Sequence, residues 1–206
     1  MSEAFEGSFT QQDPIPREAI DAAVRVMESG RLHRYNVAEG EFSEAALLEQ
    51  EFAELTGARY CVAVASGGAA MATALRALGV MPGDKVLSNA FTLAPVPGAI
   101  ASLGAVPVFV EVTEDLTIDL TDLEARIAAL GAKVLLLSHM RGHLCDMAAL
   151  MTLCDRAGVK VIEDCAHTMG ASWDGTASGR HGAMAAYSTQ TYKHVNSGEG
   201  GFLTSD

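Results

Sequence analysis

Two side chains in the second half of the sequence, Asp164 and Lys193, are of types that can do chemistry together. Asp164 ends an apolar stretch that starts at Val159, where a buried carboxylate is costly unless a cation meets it. Lys193 precedes the glycine-rich segment 197–201, and a lysine becomes nucleophilic when burial or nearby cations keep its amine neutral. Each residue alone also fits a plain role, Asp164 as a helix cap or structural acid and Lys193 as a surface charge.

The two residues together favour a pyridoxal phosphate (PLP) site. A pyridinium nitrogen is the cation that Asp164 needs, and an acid there keeps the ring protonated so that it accepts electrons from a substrate carbanion. Lys193 would form the Schiff base with the cofactor. Once substrate displaces it, the freed amine would carry protons between substrate and cofactor.

Other polar residues could complete such a site. Ser188 ends an apolar run and suits a phosphate oxygen, although it could be a simple capping serine. His167 could donate to the phenolic oxygen of the ring, or could merely be packed. The turn Ser66-Gly67-Gly68 joins a predicted strand to a predicted helix, and the free N–H groups of such a turn bind anions, although many such turns bind nothing.

Alternating strands and helices position these residues. The pattern predicts strands at 60–65, 85–89, 106–112, 133–137, 159–164, 184–187 and 202–204, and helices at 16–29, 43–55, 69–79, 95–103, 121–130 and 146–157. Such alternation implies an α/β fold with a doubly wound, largely parallel sheet. Ligands bind at the carboxyl ends of such strands, so we expect a shared edge there, formed by Ser66, Thr92, His139, Asp164 and Ser188.

Composition excludes several classes of protein. The chain has 206 residues, a length that suits one domain. Its formal net charge of −12 argues against nucleic-acid binding. No apolar run reaches the roughly 18 residues typical of a membrane span, and the N-terminus lacks the basic-then-apolar order of a signal peptide. The four cysteines and the histidines show no metal-ligand spacing. We therefore expect a cytoplasmic protein with reduced thiols and no metal.

At these residues the chain resembles the DegT/DnrJ/EryC1/StrS family of sugar aminotransferases, of PLP fold type I. The strongest match is the run 161–167, Val-Ile-Glu-Asp-Cys-Ala-His, followed by Tyr187-Ser188, Lys193 and the Gly-Glu-Gly-Gly turn at 198–201. Weaker matches are the helix end 51–57, the turn 66–69 and the run Gly-Asp-Lys-Val at 83–86. The resemblance covers almost the whole chain.

The resemblance implies roles for individual residues. Lys193 falls at the Schiff-base lysine and Asp164 at the acid that contacts the pyridine nitrogen. Ser188, with the turn Ser66-Gly67-Gly68, falls at the phosphate contacts, and His167 near the phenolic oxygen.

The family also implies a seven-stranded sheet between helices, homodimers with shared active sites, and transfer of an amino group from glutamate or glutamine. The typical acceptor is a nucleotide-linked keto sugar.

The sequence departs from the family in several places. Gly68 replaces a usual threonine, and Leu93 follows Thr92 where an aromatic often stacks on the ring, so stacking is vacant or passes to Phe91. The segment 138–143 is also unusual.

Members continue through a small C-terminal domain. We therefore expect an N-terminal arm and helix at 1–30 and the PLP-binding large domain at 31–206. The small domain would be missing or lie on a longer parent chain.

Two alternatives to transamination stay open. A PLP-dependent dehydratase or lyase would use the same fold, although relatives that dehydrate sugars carry histidine in place of the lysine. A non-catalytic binding or regulatory module could also retain the fold.

Overall fold

The computed structural model describes residues 14–206. Contacts divide the chain into two compact units, one running to Leu48 and the other from Glu49 to Asp206. The N-terminal arm expected before residue 14 lies outside the described residues. The division expected after residue 30 stays a prediction.

The first unit contains the helix α1 (Arg17–Ser29). It begins after Pro16 and ends at Gly30, whose φ of 67° lies in the left-handed region that glycine adopts at helix ends. Ile20, Val24 and Met27 recur at helical spacing, but no residue of α1 is buried. The segment that follows is irregular and carries an ion pair between Arg31 and Glu41, 2.7 Å long.

The helix α2 (Glu44–Thr56) begins one residue after the predicted start. Ser43 Oγ accepts a hydrogen bond of 3.2 Å from the N–H of Ala46 and so caps the helix. Gly57 follows the helix with a φ of +71°.

The second unit is built on a sheet of seven strands. In chain order the elements are β1 (Tyr60–Val64), α3 (Gly67–Ala77), β2 (Lys85–Asn89), α4 (Pro95–Ser102), β3 (Val106–Val110), α5 (Leu120–Leu130), β4 (Val134–Ser138), α6 (Met147–Ala157), β5 (Lys160–Asp164), the short hairpin β6 (Ser172–Trp173) and β7 (Thr176–Ala177), β8 (Met184–Ser188) and β9 (Gly201–Ser205). Each strand of the sheet and each α-helix was predicted from the sequence; the hairpin and a short 3₁₀ helix at Met140–Gly142 were not.

The sheet order is β1-β9-β8-β5-β4-β2-β3. Five strands pair in parallel, and β9 pairs antiparallel with both β1 and β8. This mixed α/β sheet, mainly parallel and flanked by helices, confirms the predicted fold class. The carboxyl ends of the parallel strands lie along one edge, where the site is expected.

Helices cover both faces of the sheet. Leu136 of β4 packs in a core with Leu75 and Ile100 from α3 and α4. Its neighbour Leu135 packs in a second core, which includes Leu123 of α5 and Leu150 of α6. Because successive strand residues point to opposite faces, a continuously apolar strand such as β4 fills both cores.

A third, smaller core lies beside β8 and β9. The ring of Phe52 stacks on Phe202 with centroids 3.9 Å apart and meets Tyr187 edge-on at 5.0 Å. Among the helices of residues 14–206, none has the length and apolar character that crossing a membrane requires.

Candidate active site

A cavity of about 380 Å³ opens at the carboxyl ends of β5 and β8, beside the start of α3. Its size is in the range of small-molecule sites. It is lined by Ser66, Gly67, Gly68, Met71, Leu93, Pro95, Val96, Ser138, Met140, Asp164, Ala166, His167, Ser188, Gln190, Lys193 and Glu199. Seven residues that the sequence analysis singled out, from Ser66 to Lys193, therefore meet around one cavity although up to 127 positions separate them along the chain.

Two predicted cofactor contacts, Phe91 and Thr92, are not among the lining residues. Both are half-buried, and the carbonyl of Phe91 accepts a hydrogen bond from Asn89 Nδ2. The cavity wall on this side is formed by Leu93, Pro95 and Val96.

Asp164 ends β5 and is 8 % exposed. The hydroxyl of Ser138 donates to its Oδ2 over 2.9 Å, and the N–H of Ala166 donates to its Oδ1 over 3.1 Å. These two donors hold the carboxylate in one orientation and stabilise its charge. A buried, oriented carboxylate is suited to binding a cationic ring nitrogen.

His139 was expected at the shared edge, and the structure corrects this. Its Nε2 lies 3.0 Å from Glu163 Oε2, and both side chains are almost fully buried. Adjacent residues of a strand face opposite sides, so Glu163 and its partner lie away from the face that carries Asp164. The residue of β4 that reaches the cavity is Ser138, which pairs in register with Asp164.

Glu163 anchors the loop that precedes β8. Besides His139, its carboxylate accepts hydrogen bonds from the N–H groups of Gly179, His181 and Gly182. Burial raises the pKa of Glu163, but the hydrogen bond and charge of His139 and the two glycine N–H groups outweigh it, so the net pKa is lowered. Glu163 is therefore an ionised structural residue outside the cavity.

Lys193 and His167 form a hydrogen-bonded pair in the cavity. The Nζ of Lys193 lies 2.8 Å from His167 Nε2, and the N–H of Arg141 donates to His167 Nδ1 over 3.2 Å. A neutral imidazole that accepts at Nδ1 carries its proton on Nε2. Nε2–H then donates to Lys193 Nζ, which can accept only as the neutral amine.

The electrostatics of the cavity agree with this assignment. Burial lowers the pKa of the Lys193 amine and Arg141 lowers it further, while Asp164 opposes them. Burial also lowers the pKa of His167, and Lys193, whenever it is protonated, lowers it further. Both groups therefore lose their protons more readily than in water, which leaves Lys193 more nucleophilic.

The start of α3 forms the other end of the cavity. Ser66 Oγ accepts from the N–H of Ala69, whereas the N–H groups of Gly67 and Gly68 have no acceptor among residues 14–206. A Cβ at Gly67 would lie 3.0 Å from the Cβ of Ser188, so a side chain there would separate the turn from β8. Free N–H groups at a helix start, beside the hydroxyl of Ser188, make a place for an anion.

The sequence profile of the DegT/DnrJ/EryC1/StrS aminotransferase family matches residues 15–206. The chain belongs to this family. It is 36% identical over 191 residues to a putative L-glutamine:3-amino-2,3-dideoxy-scyllo-inosose aminotransferase of Micromonospora echinospora, covering 90% of this chain and 44% of that protein. It is 35% identical over 159 residues to the GDP-perosamine synthase of Vibrio cholerae, covering 77% of this chain and 43% of the relative.

Solved structures of this family share the fold. A putative sugar aminotransferase of Streptococcus pneumoniae, Spr1654, in its PLP form, superposes with a TM-score of 0.85 at 25% identity. The match covers 95% of this chain and 52% of that one. The chain thus spans about half the length of the curated relatives it matches.

The aminotransferases of this family depend on PLP, and the cavity has the donors that PLP requires. Asp164 suits a protonated ring nitrogen, Lys193 suits the aldehyde, and the two free N–H groups with Ser188 suit the phosphate. The observed chemistry of the cavity fits the family's cofactor.

Proposed function

We propose that this chain carries the cofactor site of a PLP-dependent sugar aminotransferase, which moves an amino group from glutamate or glutamine to a keto sugar. The observation that carries the proposal is the contact between Lys193 and His167 in the cavity that Asp164 also lines. A surface lysine would have neither a fixed imidazole partner nor a lowered pKa.

Each residue of the proposed site has a defined role. Asp164 would hold the ring nitrogen of PLP, and Lys193 would hold the cofactor through its aldehyde as a Schiff base, with loss of water. Ser188, Ser66 and the N–H groups of Gly67 and Gly68 would hold the phosphate, and His167 would contact the phenolic oxygen. Phe91 and Thr92 stay predicted contacts, although neither lines the cavity.

PLP, when bound, supplies an electron-accepting ring that stabilises negative charge at the carbon bearing the amino group. The chain's own residues handle the protons. With PLP and substrate bound, the free amine of Lys193 would be placed to take the proton from the substrate Cα and to give it back during the transfer. Burial lowers the pKa of Lys193, so its neutral amine, the form that acts as a base, is reached more easily.

The substrate class rests on the relatives. The names of two of them specify L-glutamine with an amino-dideoxy-scyllo-inosose, and a GDP-linked perosamine. We propose a nucleotide-linked keto sugar as the acceptor for this chain. Because the chain spans about half of these relatives, groups that select the sugar are expected outside residues 1–206 or on a partner chain.

The test of the cofactor site is covalent trapping. The chain is incubated with PLP, reduced with borohydride, digested and analysed by mass spectrometry. We expect one modified lysine, Lys193, and no adduct after Lys193→Ala. The matched control is Lys160→Ala, because Lys160 is an exposed lysine at the start of β5 and its loss should leave trapping unchanged.

An adduct spread over several lysines, or one that survives Lys193→Ala, would show that PLP reacts only with surface amines. The non-catalytic module would then be the better description. If trapping succeeds, incubation of the protein with keto-sugar nucleotides and ¹⁵N-amide glutamine separates the remaining possibilities. Transfer of ¹⁵N to the sugar indicates transamination, and loss of water without ¹⁵N indicates the dehydratase.

We further propose a homodimer in the cytoplasm. Three exposed apolar side chains support association of two copies of the chain. They are Leu55 in the last turn of α2, and Tyr60 and Val62 on the edge strand β1. The four unpaired cysteines fit a reducing compartment. Light scattering after size exclusion measures the dimer directly, and a monomer at micromolar concentration would contradict it.

A further inference from the structure

We propose that Ser138 is a positioning residue for Asp164, and that Asn89 holds Ser138 in place. Together they orient the carboxylate toward the ring nitrogen of PLP. The inference rests on the proposed function, because it concerns how Asp164 meets that cofactor. Neither Ser138 nor Asn89 was a candidate in the sequence analysis.

Ser138 lies beside Asp164 because of the register of the sheet. It ends β4 where Asp164 ends β5, and the two residues are direct partners across the parallel pair. The Ser138 hydroxyl donates to Asp164 Oδ2 over 2.9 Å, and both side chains line the cavity. In the described part of the chain, no other group donates to this oxygen, since the N–H of Ala166 is bound to Oδ1.

Asn89 clamps the backbone of Ser138 from the neighbouring strand. The strands β2 and β4 pair at Leu87 and Ser88, and Asn89 is the next residue of β2. At this point the side chain of Asn89 bonds to the backbone of β4. Its Oδ1 accepts from the N–H of Ser138 over 2.8 Å, and its Nδ2 donates to the carbonyl of Ser138 over 3.0 Å. Asn89 is 2% exposed and Ser138 is 5% exposed, so water does not compete for these bonds.

A chain of hydrogen bonds therefore links β2 to the carboxylate of Asp164. Asn89 fixes the end of β4, the end of β4 fixes the Ser138 hydroxyl, and the hydroxyl fixes one oxygen of Asp164. A buried carboxylate that loses one of two donors can rotate about its last bond and also loses part of its charge stabilisation. Its contact with a ring nitrogen is then weaker, whereas contacts at the phosphate and aldehyde are unaffected.

The experiment compares two cofactors in the full chain. One is PLP, and the other is the deaza analogue in which the ring nitrogen is replaced by carbon. Dissociation constants are measured for wild type, Ser138→Ala and Ser138→Cys. For Ser138→Ala we expect the PLP constant to rise roughly three- to tenfold, the range for one hydrogen bond of typical strength, and the constant for the deaza analogue to stay the same. Ser138→Cys, a weaker donor of similar size, should be intermediate.

The neighbouring strand offers a matched control. Ser88 of β2 is also fully buried, but its hydroxyl has no hydrogen-bond partner in the described structure. Ser88→Ala should therefore change affinity for neither compound. Asn89→Ala should reproduce the selective loss for PLP, because the end of β4 is then released.

The outcomes are distinct. If Ser138→Ala lost affinity equally for PLP and for the deaza analogue, the defect would be a general structural one and the inference would be overturned. Unchanged PLP affinity would overturn it too. Should the alanine variant fail to fold, the same comparison in Ser138→Cys decides. Wild type that binds neither compound would instead refute the proposed function, and with it the inference.

Discussion

Lys193 Nζ and His167 Nε2 lie 2.8 Å apart, and the backbone N–H of Arg141 occupies the other ring nitrogen of His167. Arg141 itself has a φ of 58°, an uncommon conformation for a residue with a side chain. This turn aims its N–H at the imidazole and so determines which nitrogen carries the proton. The tautomer of His167 is thereby linked to the protonation of Lys193.

This contact predicts a pH dependence. An ordinary lysine amine titrates near 10.4, and the pKa of Lys193 is lowered, so its neutral form should appear at lower pH. The rate of covalent capture of PLP should rise with pH through a midpoint below that of free lysine. His167→Ala should move the midpoint upward, since it removes a donor to the neutral amine and lets water in.

His167→Gln is the matched control for this prediction, because its amide N–H can still donate to Lys193. The midpoint of the glutamine variant should lie nearer to wild type than that of the alanine variant. Stopped-flow absorbance from pH 6 to 10 measures all three. Equal midpoints in wild type and His167→Ala would show that His167 has no part in activating the lysine.

Ser188 should contribute to phosphate binding. Ser188→Ala removes a hydroxyl beside the free N–H groups at the start of α3, and we expect the dissociation constant of PLP to rise by about tenfold. Pyridoxal, which lacks the phosphate, should bind wild type and variant equally. Ser102→Ala, on the exposed end of α4, serves as the control and should affect neither ligand. If Ser188→Ala weakened the binding of pyridoxal as much as that of PLP, Ser188 would have no role in binding the phosphate.

Gly201 should tolerate no side chain. A Cβ there would lie 2.6 Å from the carbonyl carbon of Ser66 and from the carbonyl oxygen of Tyr187. Gly201→Ala would force β9 away from the turn at the start of α3, so we expect a loss of about 3 kcal/mol in the free energy of unfolding, together with loss of PLP binding. Urea denaturation measures the first and ligand titration the second.

Gly98 provides the matched control for Gly201. It is an exposed helical residue of α4, and a Cβ there would meet nothing within 4 Å. Gly98→Ala should raise the free energy of unfolding by roughly 0.5–1 kcal/mol, because alanine loses less backbone entropy in a helix. If both substitutions had the same effect, close approach at Gly201 would not be the cause.

Glu163 should make stability depend on pH. The pKa of Glu163 is lowered in the folded chain, whereas in the unfolded chain it is about 4.3. Between these two pKa values the folded state binds fewer protons than the unfolded state. The contribution of Glu163 is therefore complete above the unfolded pKa and is lost as pH falls through the folded value. Glu163→Gln should lower the free energy of unfolding at pH 7 by about 3 kcal/mol and should flatten its decline in acid.

Glu124→Gln is the control for Glu163, since Glu124 forms an exposed pair with Arg156. Exposed pairs contribute about 0–1 kcal/mol, so this variant should follow the wild-type curve closely. Chemical denaturation at several pH values between 3 and 7 gives the comparison. A wild-type acid slope in Glu163→Gln would mean that another carboxylate is responsible.

Much of the fold was readable from local patterns. The apolar run of β4, the glycines that end helices, and the alternation of strands and helices are properties of neighbouring residues, so the seven strands could be located without coordinates. The meeting of Asp164 and Ser188 also followed, because parallel strands bring their carboxyl ends to one edge. Lys193, which lies in a loop, was placed there by its residue type and by the family resemblance.

What the tertiary structure decided was the direction and pairing of side chains. A strand end carries two adjacent polar residues, and the sequence analysis chose His139, whereas Ser138 is the one that faces the cavity. The register of β4 against β5 selects Ser138, because residues in register with Asp164 share its face. The tautomer of His167 likewise depends on an N–H placed by a strained turn 26 residues earlier.

The sequence by itself therefore determined which residue types arrive at this edge of the sheet, because the order of elements and the hydrophobic pattern are local properties. Which hydroxyl orients Asp164, which nitrogen of His167 carries a proton, and how close Gly201 comes to Ser66 were decided by the tertiary structure. These relationships join residues distant in the chain at hydrogen-bond or van der Waals distance, and small differences in register or rotation would break them.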